Sequence, residues 1–306
     1  MPKGQGPGVG LVTGSTIAFF EADGDVVGSS RIEDRVALGA DAFALYSTAG
    51  EAADVYSGSV DKVFTIRERG YPFFINDRVF LAKPGMAGIA EYSRTGNRLF
   101  SYDARSIITC VAANSDVVAL GTLDGEIVVI GPDGMERFAF KPGGSRIEVV
   151  VGIAISGDGR RLAAVCGVDR QRLVVLDRFE AEYRVIKHRY LEDEFKERVA
   201  VYVSDDGRYV FSQTGSGFDM LDADLGAEYR LSLPGPGRFA RVDVARSVAI
   251  VASDTREGSS YRVFALPDRL IASFSFPGSA AMTRMDGDAL YFASSEGMAK
   301  LRFKER

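Results

Sequence analysis

Short apolar runs alternate with turns of Gly, Asp, Ser and Asn along nearly the whole chain. No stretch keeps the three-to-four-residue apolar spacing of an amphipathic helix over a useful length, so the pattern predicts strands. The clearest unit reads Ile155-Ser156-Gly157-Asp158-Gly159-Arg160-Arg161-Leu162-Ala163-Ala164-Val165-Cys166. An apolar run enters a polar turn, basic residues follow, and a second apolar run leaves. Gly and Asp supply turn conformations that other residues resist. The pattern returns at Val203-Ser204-Asp205-Asp206-Gly207-Arg208-Tyr209-Val210-Phe211, with weaker copies at 114–120 and 285–291.

Strands are predicted at 71–75, 78–82, 88–92 and 98–102, then at 107–112, 117–120, 126–130 and 135–140. They continue at 149–155, 161–166, 172–176 and 183–190, and at 200–203, 209–213, 217–222 and 228–233. A further unit spans 239–276, and the last has three strands at 281–285, 289–293 and 298–303. Toward the N-terminus stand a hairpin over 15–32 and single runs at 42–46, 53–56 and 63–66. Six four-stranded units and an incomplete seventh, at about 44 residues each, have the period of propeller blades. The expected closure has the N-terminal segment complete the last blade, which hides the sheet edges. The pattern therefore predicts an all-β fold: a single seven-bladed β-propeller of four-stranded antiparallel blades, its ring closed by the N-terminal segment. The propeller would occupy 15–306 after a flexible leader at 1–14. The chain ends leave six or eight blades open.

The Ser-x-Asp-Gly-Arg turns at 156–160 and 204–208, each followed by an apolar strand, resemble those of the WD40-like and quinoprotein-like propellers. The resemblance covers nearly all of the chain as a repeat pattern and implies fold far more than activity. The chain has no Trp and one His. The Trp-Asp ending and recurrent Gly-His pair of strict WD40 repeats are therefore absent, as are the docking tryptophans of quinoprotein dehydrogenases. No cofactor is carried over.

A net charge of −5 over 306 residues, with no dense basic cluster, disfavours nonspecific nucleic-acid binding. No apolar run is long enough to span a membrane. The Gly-rich start has no signal-peptide core, and it fits a start just after a removed signal or anchor. Exported chains often carry such repeats, so the expected location is periplasmic or extracytoplasmic, with a cytoplasmic one left open. Cys110 and Cys166 lie in apolar runs and read as buried hydrophobes, with a disulfide between neighbouring repeats as the other possibility. His188 is expected on an outermost strand, sharing a face with Arg184, Ile186 and Tyr190. No nucleophile motif points to it. The 6–15 segment lacks the Lys of a phosphate loop. Acidic pairs at Asp205-Asp206, Asp222 with Asp224, and Glu192-Asp193-Glu194 read as turn residues. Asp243 and Asp254 are weak candidates for a calcium site.

The main irregularity is the charged insertion Leu191-Glu192-Asp193-Glu194-Phe195-Lys196-Glu197-Arg198 between two units. A short helical turn would put Leu191 and Phe195 on one side. This marks Glu192, Asp193, Glu194 and Phe195 as a candidate docking knob for a protein partner. A second candidate, around Arg69, Tyr71 and Phe73, occupies the equivalent connection of another unit, because Arg and aromatic residues favour interfaces. The expectation is a non-catalytic scaffold for protein–protein interaction, the exported soluble part of an anchored protein. The alternatives are a metal-dependent propeller hydrolase or lyase acting on a lactone or sugar, and a ligand-sensing domain of a larger membrane protein.

Overall fold

The second strand of the fifth sheet, Arg161–Cys166, is buried along its whole length, and it shows why the strands read as continuous apolar runs. Leu162, Ala164 and Cys166 on one face join a cluster with Cys110, Ala119 and Val129 of the sheet before. Ala163 and Val165 on the other face join Val201, Val210 and Leu221 of the sheet after. A strand covered on both faces needs apolar residues at every position, not at alternate ones. The outermost strand of the same sheet, Glu182–Tyr190, is mostly exposed and correspondingly polar.

The computed structural model describes residues 9–21, 24–47, 51–180, 182–278, 282–286, 289–294 and 297–302. Among these residues the strands make eight antiparallel sheets, each a meander in chain order. The first has three strands: Val9–Thr13, Thr16–Phe20 and Val26–Arg31. The second has Arg35–Leu38, Ala42–Tyr46, Ala53–Ser57 and Lys62–Ile66. The third has Tyr71–Ile75, Arg78–Ala82, Gly88–Tyr92 and Arg98–Asp103. The fourth has Ile108–Ala113, Val118–Thr122, Ile127–Ile130 and Glu136–Phe140, and the fifth Val150–Ile155, Arg161–Cys166, Arg172–Phe179 and Glu182–Tyr190. The sixth has Val201–Val203, Tyr209–Thr214, Gly217–Asp222 and Ala227–Ser232. The seventh has Gly237–Asp243, Val248–Thr255, Gly258–Ala265 and Arg269–Pro277. The eighth has three: Met282–Asp286, Ala289–Ser294 and Gly297–Arg302. A 3-10 turn at Pro84–Met86 is the sole helical element among the described residues.

Two compact units divide the chain, Met1–Asp103 with Gly278–Arg306, and Ala104–Pro277. The first unit holds sheets one, two, three and eight; the second holds sheets four to seven. Within each unit, consecutive sheets share apolar clusters, as Phe19 and Phe43 do between the first and second sheets, and Phe211 and Val251 between the sixth and seventh.

The strands from Tyr71 onward lie where the apolar runs predict them, and so do the hairpin over 15–32 and the runs at 42–46, 53–56 and 63–66. The N-terminal region differs in how its strands are grouped. Arg35–Leu38 is a short strand between charged residues and Gly39, and its pattern is too brief to read. It supplies the fourth strand of the second sheet, and that leaves Val9–Arg31 as a sheet of its own. Among the described residues each chain end carries a three-stranded sheet. Within the stretch expected as a flexible leader, Val9–Thr13 is a strand paired over its length with Thr16–Phe20. The rest of that leader before residue 9 lies outside the described residues.

Candidate functional site

The repeated turn satisfies its serine and aspartate side chains within itself, while carbonyls of the first copy are met from outside: Asn114 Nδ2 donates to the Ser156 and Gly157 carbonyls at 3.2 and 3.3 Å, and the Tyr183 hydroxyl donates to the Gly159 carbonyl at 2.5 Å. Ser156 Oγ donates to Asp158 Oδ1 at 2.5 Å and accepts from the Arg161 N–H at 2.9 Å. Asp158 Oδ1 also accepts from the Arg160 N–H at 2.9 Å. The copy repeats every bond: Ser204 to Asp206 at 2.5 Å, the Tyr209 N–H to Ser204 Oγ at 2.9 Å, and the Arg208 N–H to Asp206 at 3.1 Å. Gly159 and Gly207 take the left-handed conformation, φ 69° and 75°, which a Cβ would strain. The motif is therefore structural, and its acids are spent on the turn.

The 191–198 connection is held by distant residues. Gln171, fully buried, clasps Phe195 through both main-chain groups: its Oε1 accepts from the Phe195 N–H at 2.7 Å and its Nε2 donates to the Phe195 carbonyl at 2.6 Å. The Leu191 N–H reaches the Gln171 carbonyl at 2.8 Å. Glu194 accepts from the Arg170 N–H at 2.9 Å, and Asp193 from the Gly215 N–H at 2.8 Å. Glu192 pairs with Arg230 at 2.9 Å. No helical turn forms between 191 and 198. Leu191 and Phe195 do share a side, but it faces inward, packed against the cluster between the fifth and sixth sheets. Phe195 is thus an anchor of the connection and not an exposed knob. The exposed charges of the connection that make neither an ion pair nor a hydrogen bond to a neighbouring segment among the described residues are Lys196, Glu197 and Arg198.

Beneath Glu192 runs a chain of ion pairs. Asp219, 7% exposed, lies 2.9 Å from Arg189 Nη2 and 2.8 Å from Arg230 Nε. Arg189 belongs to the outer strand of the fifth sheet and Asp219 to the third strand of the sixth, so the network ties two sheets. Arg161 does the same from its buried position: it donates to the Gly207 carbonyl at 2.8 Å, to Asp224 at 3.1 Å and to Asp177 at 3.0 Å. Neither Gln171, Arg189, Asp219 nor Arg161 has a local sequence signal, because these bonds run across 11 to 63 residues.

The second candidate patch lies in the first unit. Arg69 is exposed. Tyr71 is 43% exposed, with its ring edge-on to Tyr46 at 6.2 Å. Phe73 is half-buried and stacks on Phe80 at 5.2 Å. Of the three, Phe73 is a packing residue.

The remaining acids are matched by arginines. Asp205 pairs with Arg241 at 2.8 Å and Asp243 with Arg246 at 2.5 Å. Burial pushes the Asp222 carboxyl up, but Arg208 and the N–H groups of Leu225 and Asp224 outweigh it and hold the group below its usual range. No group of three or more His, Cys, Asp or Glu among the described residues is placed to hold a metal ion. His188 is exposed on the edge strand of its sheet. A bulge there, between Val175 and Leu176 on the partner strand, puts His188 opposite Val174 and Val185 opposite Leu176. His188 therefore shares its face with Tyr190 and Val185, not with Arg184, because the extra residue reverses the alternation. Cys110 and Cys166 are free and buried; burial pushes their thiols up to about 11 and about 12.

Repeated four-stranded meanders with shared apolar clusters, and turns satisfied by their own side chains, define the β-propeller class. A family model for a beta-propeller protein matches residues 8–306, and the chain belongs to that family. It is 30% identical over 222 residues to an uncharacterized protein of Treponema pallidum (strain Nichols). That alignment covers 69% of this chain and 56% of the relative, so the chain spans just over half of the relative's length. Among solved structures, BamB from Moraxella catarrhalis is similar with TM-score 0.68 at 10% identity, covering 97% of this chain and 94% of that one. Sqt1 of Saccharomyces cerevisiae gives 0.70 at 9%, covering 95% and 91%. AztD from Citrobacter koseri gives 0.63 at 11%, covering 96% and 90%. At these identities the likeness is one of fold. No helix among the described residues is long and apolar enough to cross a membrane.

Proposed function

We propose that this propeller is a non-catalytic scaffold that docks a protein partner at the 191–198 connection, as the extracytoplasmic part of an anchored protein. The observation that carries the reading is the way this connection is held. Irregular surface segments usually move, yet this one is clasped by Gln171, Arg170 and Gly215 through its own backbone and acids. A segment already ordered loses little conformational entropy when a partner binds. Its bound acids hold the shape, while Lys196 and Glu197 remain for recognition.

The test is a crosslinked pull-down from the cells that make the protein, comparing wild type with a Lys196→Glu/Glu197→Lys variant. The swap keeps net charge and leaves every tether in place. A partner lost only from the variant supports the reading. A partner retained equally by both overturns the placement, and no partner in either overturns the scaffold. The hydrolase alternative gains no support, since Asp243 and Asp254 are each engaged by an arginine.

A further inference from the structure

We propose that a cavity of about 510 Å³ in the second unit binds a small aliphatic monocarboxylate. This inference stands apart from the scaffold reading and involves no partner protein. The cavity is walled by Ile153, Val199 and Val201, and its polar residues include Arg198, Gln213, Arg238 and Asp254. Its size is in the range of small-molecule sites.

The polar groups converge with an excess of donors. Gln213 Oε1 accepts from the Ala200 N–H at 2.7 Å, which fixes the amide orientation and turns Nε2 away as a free donor. Asp254 is already used as an acceptor: Oδ1 takes the Ser259 hydroxyl at 2.8 Å and Oδ2 stands 2.9 Å from Arg238 Nε. That pair attracts by charge but is out of line, since Arg238 Nε and Nη2 are buried with no hydrogen-bond partner. Arg238, in the cavity wall, thus holds buried N–H donors that no protein acceptor meets. Arg198 makes no ion pair among the described residues.

The charge count selects the ligand. Two guanidiniums stand against one carboxylate, so the cavity carries a single uncompensated positive charge. A monoanion balances it, whereas a dianion would face Asp254 with charge to spare. The unpartnered guanidinium donors suit a head that accepts, and a carboxylate matches guanidinium geometry. The aliphatic walls call for an apolar body behind that head.

The experiment is a calorimetric titration of the full chain with 4-methylpentanoate, its neutral isostere 4-methylpentanamide, and inorganic phosphate. The carboxylate should saturate one site while the amide and phosphate do not. Arg198→Gln should weaken binding at least about tenfold, the loss of one charged pair, with the melting temperature unchanged because Arg198 is exposed. Asp254→Asn should tighten binding several-fold, since it raises the cavity charge and releases Arg238; a merely structural role for Asp254 would give no tightening. Equal binding of the amide, preference for phosphate, or unchanged affinity in Arg198→Gln overturns the proposal. So does the absence of saturation by about 10 mM, since a ligand this small should bind near ~1 mM.

Discussion

Two charged, irregular segments of the second unit are built on opposite plans. The turn at 156–161 closes the hydrogen bonds of its serine and aspartate side chains within five residues, and its copy at 204–209 closes the same set. The connection at 191–198 closes almost nothing within itself. Its groups are met by Gln171, Arg170, Gly215 and Arg230, which lie 20 to 38 residues away. The turn is written where it stands, so it can be copied along the chain. The connection is specified by the sheets on either side of it, so its conformation depends on their remaining in register. A turn of this kind ends a hairpin anywhere; a tethered connection occurs at one place, which makes it the better platform for a specific contact.

The difference is sharpest in the ion network under the connection. Asp219→Ala removes the carboxylate shared by Arg189 and Arg230 and leaves Arg189, 18% exposed, with only Glu228 and Ser212 near it. Stripping a buried charge of its partner costs about 3 kcal/mol. Ser156→Ala, by contrast, should cost about 1 kcal/mol, one local hydrogen-bonding group. Urea unfolding of both variants tests the contrast. Equal losses would mean that distance along the chain says nothing about how much a polar contact stabilises here.

Next in size is the clasp. Gln171→Ala leaves the Phe195 N–H and carbonyl without their partner and also frees the Gly167 carbonyl. The expected cost is about 2 kcal/mol. Hydrogen exchange should show the Phe195 amide opening without global unfolding, while the amides of Arg161 and Tyr209 in the two turns keep their protection. Retained protection at Phe195 would show that the inward packing of Leu191 and Phe195 alone orders the connection.

The same contrast explains what could be read from the chain. The turns and the strands from Tyr71 onward were legible because their causes are local: Gly at positive φ, Asp bonded two residues on, apolar runs of strand length. The strand Arg35–Leu38 was not, since four residues between charges carry almost no periodicity, and with it went the grouping of Val9–Arg31 as a sheet, though its hairpin over 15–32 was read. The alternation around His188 failed at a bulge that depends on the partner strand. Glu192, Asp193, Glu194 and Phe195 stood out as an irregularity, but what holds them depends on Gln171, Arg170, Gly215 and Arg230, and composition does not announce such pairings. The donor-rich cavity was missed for the same reason: Arg198, Gln213, Arg238 and Asp254 come from four separate segments.

The smallest expected effect is at Glu192. Its side chain is 73% exposed, and its partner Arg230 keeps a second, more buried carboxylate in Asp219. Exposed ion pairs contribute below about 1 kcal/mol, and salt screens them further. Glu192→Gln should therefore shift the urea midpoint by an amount near the limit of measurement, and leave the Phe195 amide protected. The variant separates two ways in which the connection is held. If the tethers act as a set, Asp193 and Glu194 keep the segment in place through the Gly215 and Arg170 amides, and the outer pair is dispensable. If Glu192→Gln instead loosens Phe195 as much as Gln171→Ala does, then Arg230 is the keystone, and the ordering of the connection runs from Asp219 outward through a single guanidinium.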